Sequence, residues 1–287
     1  MKMIIIAGIT ASGKTKLALK IAKHYQSEII NADSVCIYRG LNIGSAKPSL
    51  QEQTEVKHHL LDVVDFNSSK PYSIFDFQSS ARSLINNLNL PIIVGGSALY
   101  VRALLYDYQL PQDLPRSEES LDIEELKHKI RDLNPNFAFP NASLRRMQRY
   151  YDLLRSGIEY DSPQELAIFQ DYDPLIIYLE IPRELQRAIF TTRLEEQLQN
   201  GFIEEVQGLP QRLNFIGYQE LYDYLAGDID LMKAKELIIK RSLKLAKKQK
   251  TFFVNQFKLN IFDSQDPDLE NKVLKLIDNF LISDKVV

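Results

Sequence analysis

The sequence predicts an α/β protein. A parallel sheet forms its core, a mainly helical segment is inserted into it, and a helical C-terminal region follows. Three observations carry this. A short apolar run without alternation, Met3 to Ala7, enters a glycine loop and then a stretch of helical spacing, as a strand buried on both faces of a parallel sheet would. Further short apolar runs alternate with helical stretches up to residue 107, the pattern of repeated βα units. The alternation stops over 108–175 and returns with the strand-like Pro174 to Ile181.

Each element follows from local signals. Lys14 to Tyr25 sets Leu17, Ile21 and Ala22 at helical spacing. Ile29 and Ile30 make a second strand that ends at Asn31-Ala32-Asp33, and His59 to Val64 reads as a third. Ser73 to Asn89 reads as a helix with Ile74, Phe77, Ala81, Leu84 and Leu88 on one side. Pro91 to Val94 is another buried strand, stopped by Gly95-Gly96 and followed by a helix from about Ser97. Tyr108 to Arg116 has two prolines and no period, while Leu121 to Leu133 and Ser143 to Ser156 read as helices. The core is therefore expected over 1–107 and 176–287, with a helical insert over 108–175. From Arg183 onward helices are expected at about 183–200, 202–208, 217–226 and 230–257, with Gly201 and Gly227 at C-terminal cap positions.

Composition narrows the class. The 287 residues are 45% hydrophobic and 25% charged, ordinary globular values. A lone cysteine, Cys36, allows no internal disulfide framework and suits a reducing, cytoplasmic location; it reads as a small buried residue. No apolar run approaches the roughly 18 residues of a membrane span, and no secretory leader is expected. The net charge of −3 leaves nucleic-acid binding to a local basic surface. His58-His59 does not read as a metal site, because neighbouring strand residues point to opposite faces.

Gly8-Ile9-Thr10-Ala11-Ser12-Gly13-Lys14-Thr15 fits the phosphate-loop pattern G-x-x-x-x-G-K-[ST], with a strand before it and a helix after it. Its glycines let the backbone curl so that N–H groups face phosphate oxygens. The following helix adds its positive end, Lys14 a full charge, and Thr15 a hydroxyl suited to Mg²⁺. The core is thus P-loop NTPase-like. The loop alone does not choose among kinases, hydrolases and transferases.

Asn31 to Pro48 (NADSVCIYRGLNIGSAKP) closely resembles the second motif of the tRNA dimethylallyltransferases. Further matches follow in that family's order: His59-Leu60-Leu61-Asp62-Val63, Tyr72-Ser73 with Asp76-Phe77, Val94 to Tyr100, Gly201-Phe202 with Glu205-Val206, Ile216 to Glu220, and Ala246 to Thr251. The resemblance implies transfer of a dimethylallyl group from its diphosphate to N6 of the adenosine just 3′ of the anticodon. Residues 8–15 would hold the leaving diphosphate rather than ATP. Asp33 would be the general base, Thr10 would lie near the bridging oxygen, and Lys14, Mg²⁺ and Arg193 would stabilise the leaving group. The tRNA would meet Asp33, Ser34, Val35, Cys36 and Ser97 in the core. In the insert it would meet Arg116 and the Arg145, Arg146 and Arg149 helix. Lys240, Arg241, Lys244, Lys247 and Lys248 share one helical face and either bind phosphates or form a solvated face. A monomer that binds the anticodon stem-loop is expected.

The chain departs from the family's pattern in places. Ile9 replaces a loop proline, Ile189 and Val254 stand where arginines are usual, and the insert is short. Arg187 and Lys250 are candidates to compensate. The rival readings are a free adenine-nucleotide prenyltransferase, a small-molecule kinase, and an RNA-binding protein without activity.

Overall fold

Six strands form one sheet in the computed structural model, which describes residues 1–66, 68, 72–106, 121–137, 143–157 and 171–283. The chain runs β1 (Lys2–Gly8), α1 (Lys14–His24), β2 (Ile29–Asn31), α2 (Leu50–Glu55), β3 (His58–His59), α3 (Ile74–Ile85), β4 (Ile92–Val94) and α4 (Ala98–Leu105). It continues through α5 (Ile123–Leu133), α6 (Leu144–Arg155), β5 (Asp173–Glu180), α7 (Arg183–Gln199), α8 (Phe202–Gln207), α9 (Tyr218–Leu225), α10 (Leu231–Gln256), β6 (Asn260–Asp263) and α11 (Leu269–Ile282).

The strand order is β3-β2-β4-β1-β5-β6, and every neighbouring pair is parallel. β1 is buried on both faces, and its side chains alternate between two layers. Met3, Ile5 and Ala7 join one core with Phe77, Val101, Phe190, Phe202, Tyr218 and Phe253. Ile4 and Ile6 join the other with Leu17 and Ile21 of α1 and Val273 and Ile277 of α11. Each such buried aliphatic side chain contributes about 1.5–3 kcal/mol, so β1 is the anchor of the sheet. Because all strands run the same way, the segments after β1, β2 and β4 emerge together at the carboxyl edge, where open α/β sheets bind ligands.

Two compact units result: residues 1–106 with 168–287, and residues 107–167. In the second unit α5 and α6 pack through Leu126, Ile130, Met147, Tyr150 and Tyr151. An Asp122 and Glu125 capping box starts α5.

The structure differs from the sequence reading in three places. The expected third strand pairs only at His58 and His59, with Val64 making an isolated bridge to Tyr38. Leu60 (φ 59°) and Asp62 (φ 53°) adopt left-handed backbone that no strand can continue. α2 was missed although Ser49 and Glu52 form a capping box, a sequence-level start signal. β6 and α11 were missed altogether. β6 adds an edge strand on β5, and Lys2 Nζ donates to the Phe280 and Leu281 carbonyls in the last turn of α11 at 2.7 and 2.9 Å. Gly201 (φ 95°) and Gly227 (φ 80°) do follow the ends of α7 and α9 in left-handed conformation.

Candidate functional site

The phosphate loop owes its shape to two left-handed residues. Ala11 (φ 62°) and Gly13 (φ 77°) turn the backbone so that N–H groups line a concave nest ahead of α1. Gly8 is fixed by crowding, since a Cβ there would sit 2.4 Å from the Leu179 carbonyl oxygen. Ser12 is buried and donates its N–H to Ile9 O at 3.3 Å. Its hydroxyl has no hydrogen-bond partner among the described residues. Lys14 Nζ donates to Ile9 O at 2.7 Å, and Thr15 stands in the first turn of α1.

Asp33 follows β2 and is held by Asn31. The Asn31 amide oxygen accepts the Asp33 N–H at 3.1 Å, and its Nδ2 donates to Asp33 O at 3.1 Å and Leu60 O at 3.0 Å. Asp33 Oδ1 accepts the Val35 N–H at 2.9 Å, so the carboxylate does cap its own turn with one oxygen. Ser97, after β4, accepts the Ser34 N–H at 2.9 Å and lies 3.2 Å from the Ser34 hydroxyl. It therefore ties the β2 and β4 loops together rather than capping α4. Gly95 permits this approach, because a Cβ there would lie 2.1 Å from Ala32 O.

Arg193 of α7 closes the third side, its guanidinium donating to the Thr10 hydroxyl at 3.4 Å. The charges sense one another. Burial pulls the Lys14 ammonium down to about 8; Asp33 opposes this and Arg193 adds to it. Burial likewise lowers Arg193, against the pull of Asp33. Thr10, Lys14, Asp33 and Arg193 are thus brought into one charge-coupled site. Cys36 is buried, and its thiol contacts Ser45 O at 3.8 Å and is pushed up to about 12, mainly by burial. Of the two sequence readings of Cys36, a small buried residue and a tRNA contact, the first matches its 5% exposure. Ser34 and Val35 are half-buried.

One functional side chain was missed from sequence. Gln249 of α10 accepts the Thr10 N–H at 3.0 Å and donates to Gly96 O at 3.0 Å. It pins the phosphate loop to the loop after β4. Its one signal in the sequence is membership of the Ala246 to Thr251 motif.

The basic residues divide. Lys240, Lys244, Lys247 and Lys248 are exposed along α10, and none forms an ion pair among the described residues. Arg241 leaves this row to bond Gln219 at 2.9 Å and the buried Glu220. Lys250 pairs with Glu180 and Arg187 is exposed. Ile189 packs against the core and Val254 is exposed. In the second unit Arg146 and Arg149 are exposed on α6, Arg146 over the Tyr150 ring at 5.7 Å. Arg145 belongs to the same helix. Arg116 lies outside the described residues.

Residues 36–256 match the model of the IPP transferase family. A tRNA dimethylallyltransferase of Acholeplasma laidlawii is 41% identical over 281 residues, which are 98% of this chain and 99% of that relative. That relative is no longer than this chain, so its compact length is shared. The crystal structure of a full-length tRNA isopentenylpyrophosphate transferase from Bacillus halodurans superposes with a TM-score of 0.71 at 31% identity, covering 98% of this chain and 95% of that one. A eukaryotic dimethylallyltransferase acting on tRNA shares the fold, with a TM-score of 0.81 at 22% identity over 98% of this chain and 79% of its own. With matches that span nearly its whole length and a phosphate loop, Asp33 and Arg193 gathered at one sheet edge, the chain belongs to the IPP transferase family.

Proposed function

We propose that this protein transfers a dimethylallyl group from dimethylallyl diphosphate to N6 of the adenosine 3′ of the anticodon in tRNA, giving N6-isopentenyladenosine. The observation that carries this is that two buried cations meet the phosphate loop, Lys14 at Ile9 O and Arg193 at the Thr10 hydroxyl, with Asp33 acting electrostatically on both. The C1–O bond of the donor breaks as the C1–N6 bond forms. Diphosphate leaves into the loop of residues 8–15, and the N6 proton passes to Asp33. An exocyclic amine is a weak nucleophile, so removal of its proton must accompany bond formation. The leaving diphosphate gains charge, and fixed cations at its destination stabilise it without reorganising.

The loop suits such an anion. Left-handed Ala11 and Gly13 turn its backbone ahead of the positive end of α1, the arrangement that binds phosphate groups. Mg²⁺ fits in the same sense. Thr15 would hold it together with diphosphate oxygens and water, since Mg²⁺ binds substrate phosphates more readily than all-protein cages. No group of three or more His, Cys, Asp or Glu that could hold a metal is present among the described residues, so the substrate itself would supply most ligands. When bound, the ion would neutralise charge on the leaving diphosphate.

The tRNA surface is proposed to comprise Ser34, Val35, Cys36 and Ser97 around Asp33, Arg116, Arg145, Arg146 and Arg149 in the second unit, and Lys244, Lys247 and Lys248 on α10. The partner is the anticodon stem-loop, bound by a cytoplasmic monomer. Among the described residues no helix is long and apolar enough to cross a membrane. The test is to incubate the protein with labelled dimethylallyl diphosphate, Mg²⁺ and either tRNA or AMP. Label in tRNA alone is expected. Label in AMP alone would select the free-nucleotide reading, and phosphorylation of an acceptor by ATP the kinase reading.

A further inference from the structure

We propose that Glu205, on α8, is a positioning residue for Asp33, an inference that rests on reading Asp33 as the base. Its carboxylate gathers four donors. Oε2 accepts the Asn42 and Ile43 N–H groups at 2.8 and 2.7 Å; Oε1 accepts the Gly44 N–H at 3.0 Å and the Tyr218 hydroxyl at 2.7 Å. Three consecutive backbone amides on one carboxylate are more than a surface loop needs, and hydrogen bonds to an ionised acceptor are the strong ones. The loop is pressed home at the same point. A Cβ on Gly44 would lie 2.2 Å from the Phe202 ring and 2.6 Å from Tyr218.

The segment Glu205 grips leads back to Asp33. Ser45 O, the next residue along, receives the Cys36 thiol. Lys47, its side chain 2% exposed, donates to Tyr38 O at 2.8 Å and Asn42 Oδ1 at 3.1 Å and pairs with Asp62. The stretch from Asp33 to Lys47 is thereby one braced body, fastened to α8 by Glu205. The preceding helix adds a second fastening. Gln197 Nε2 donates to Ile43 O at 2.7 Å and Gly44 O at 3.1 Å. Arg193 and Gln197 are four residues apart and so share a face of α7. One helix therefore places Arg193 on Thr10 of the phosphate loop and Gln197 on the loop that carries the base. Glu205 completes a frame that fixes the distance between leaving-group site and proton acceptor, a distance on which proximity catalysis depends steeply.

The test is a double-mutant cycle on single-turnover transfer to tRNA, with Asp33→Asn, Glu205→Gln and both together. Asn keeps the cap on the Val35 N–H but cannot take the proton. Gln keeps the shape of Glu205 but turns a donor toward backbone donors. Glu205→Gln is expected to slow transfer about tenfold, one lost orienting interaction, with tRNA and dimethylallyl diphosphate affinities within about twofold. In the Asp33→Asn background it should add nothing, because coupled groups are not additive. A repeated tenfold loss in that background, or a lowered melting temperature with unchanged transfer per folded molecule, overturns the proposal. An Asp33→Asn protein as fast as wild type overturns the reading of Asp33, and with it this inference. If Glu205→Gln does not fold, Gln197→Ala is carried through the same cycle with the same expectations.

Discussion

The inner charges and the outer charges of this protein are built in opposite ways. Lys14 and Arg193 have their acidities shifted by burial, sense Asp33, and hold fixed partners in Ile9 and Thr10. Lys240, Lys244, Lys247 and Lys248 stand in solvent on α10 without ion pairs among the described residues. A buried cation acts through low local dielectric and a fixed place, so removing one should cost much and depend little on salt. An exposed lysine row acts through the number of phosphates it neutralises, so removing its members should cost little each and depend steeply on salt. The contrast also bears on the absent arginines. Ile189 lies one turn before Arg193 on α7, so on the same face, and packs against the core, whereas Val254 is exposed on α10; only the first change touches the face that Arg193 presents to Thr10.

The largest effect is expected at Asp33. Asp33→Ala should lower turnover at saturating substrates by about 10²-fold or more, as loss of a general base does, with tRNA affinity nearly unchanged. Because Oδ1 also caps the Val35 N–H, Asp33→Asn separates the two roles. A variant that recovers most of the activity with Asn would show that the cap, not the base, was lost. The contrast between inner and outer charges would then lose its catalytic half.

Lys14 gives the next effect, and it is read through pH. In the free protein its pKa is lowered to about 8, chiefly by burial. A bound diphosphate must raise that value, because an anion favours the charged form. Below about pH 8 the ammonium is protonated in both states and contributes its full attraction. Above it the free protein has lost the proton and must recover one on binding, so affinity falls by up to about tenfold per pH unit until the bound form deprotonates too. Calorimetry of dimethylallyl diphosphate binding in buffers of different ionisation enthalpy near pH 9 should show proton uptake. Lys14→Arg should abolish that uptake; uptake that survives it belongs to another group.

Gln249 joins the two regions, since it sits on the lysine-bearing helix yet holds the Thr10 N–H and Gly96 O. Gln249→Leu leaves both unpaired, at about 1–3 kcal/mol, and should slow transfer about tenfold. Gln249→Glu keeps the acceptor for Thr10 but adds negative charge beside the diphosphate site. It should therefore raise the KM for dimethylallyl diphosphate more than that for tRNA. Equal changes in both constants would mean that Gln249 only supports α10.

Legibility in the sequence followed the range of the interactions. The loop of residues 8–15, Asp33 and the strand-helix alternation are local patterns, and the structure has them where local reasoning places them. Gln249 and Glu205 act on residues more than 150 positions away, and no local period reveals such a bond. His59 to Val64 failed for another reason: an apolar run predicts a strand, but left-handed Leu60 and Asp62 break it. α11 was readable, with Val273 and Ile277 at helical spacing under Leu269 and Phe280. It lies beyond the last of the family motifs, which ends at Thr251.

The smallest effect on turnover, and the sharpest test of the contrast, belongs to the outer row. Lys244, Lys247 and Lys248 lie at i, i+3 and i+4 and so fall along one side of α10, exposed. If each neutralises one tRNA phosphate, each releases counterions, and the slope of log affinity against log salt should flatten by about one unit per lysine replaced with alanine. Turnover at saturating tRNA should stay within about twofold, because none of the three holds a partner in the inner ring. Dimethylallyl diphosphate affinity should not move. Arg146→Ala and Arg149→Ala in the second unit should likewise weaken tRNA binding without changing diphosphate binding. A triple variant with an unchanged slope would make the row a solvated face. If the two arginine variants were silent as well, acceptor recognition would fall to the residues around Asp33 alone, and those suffice only for an acceptor the size of a nucleotide.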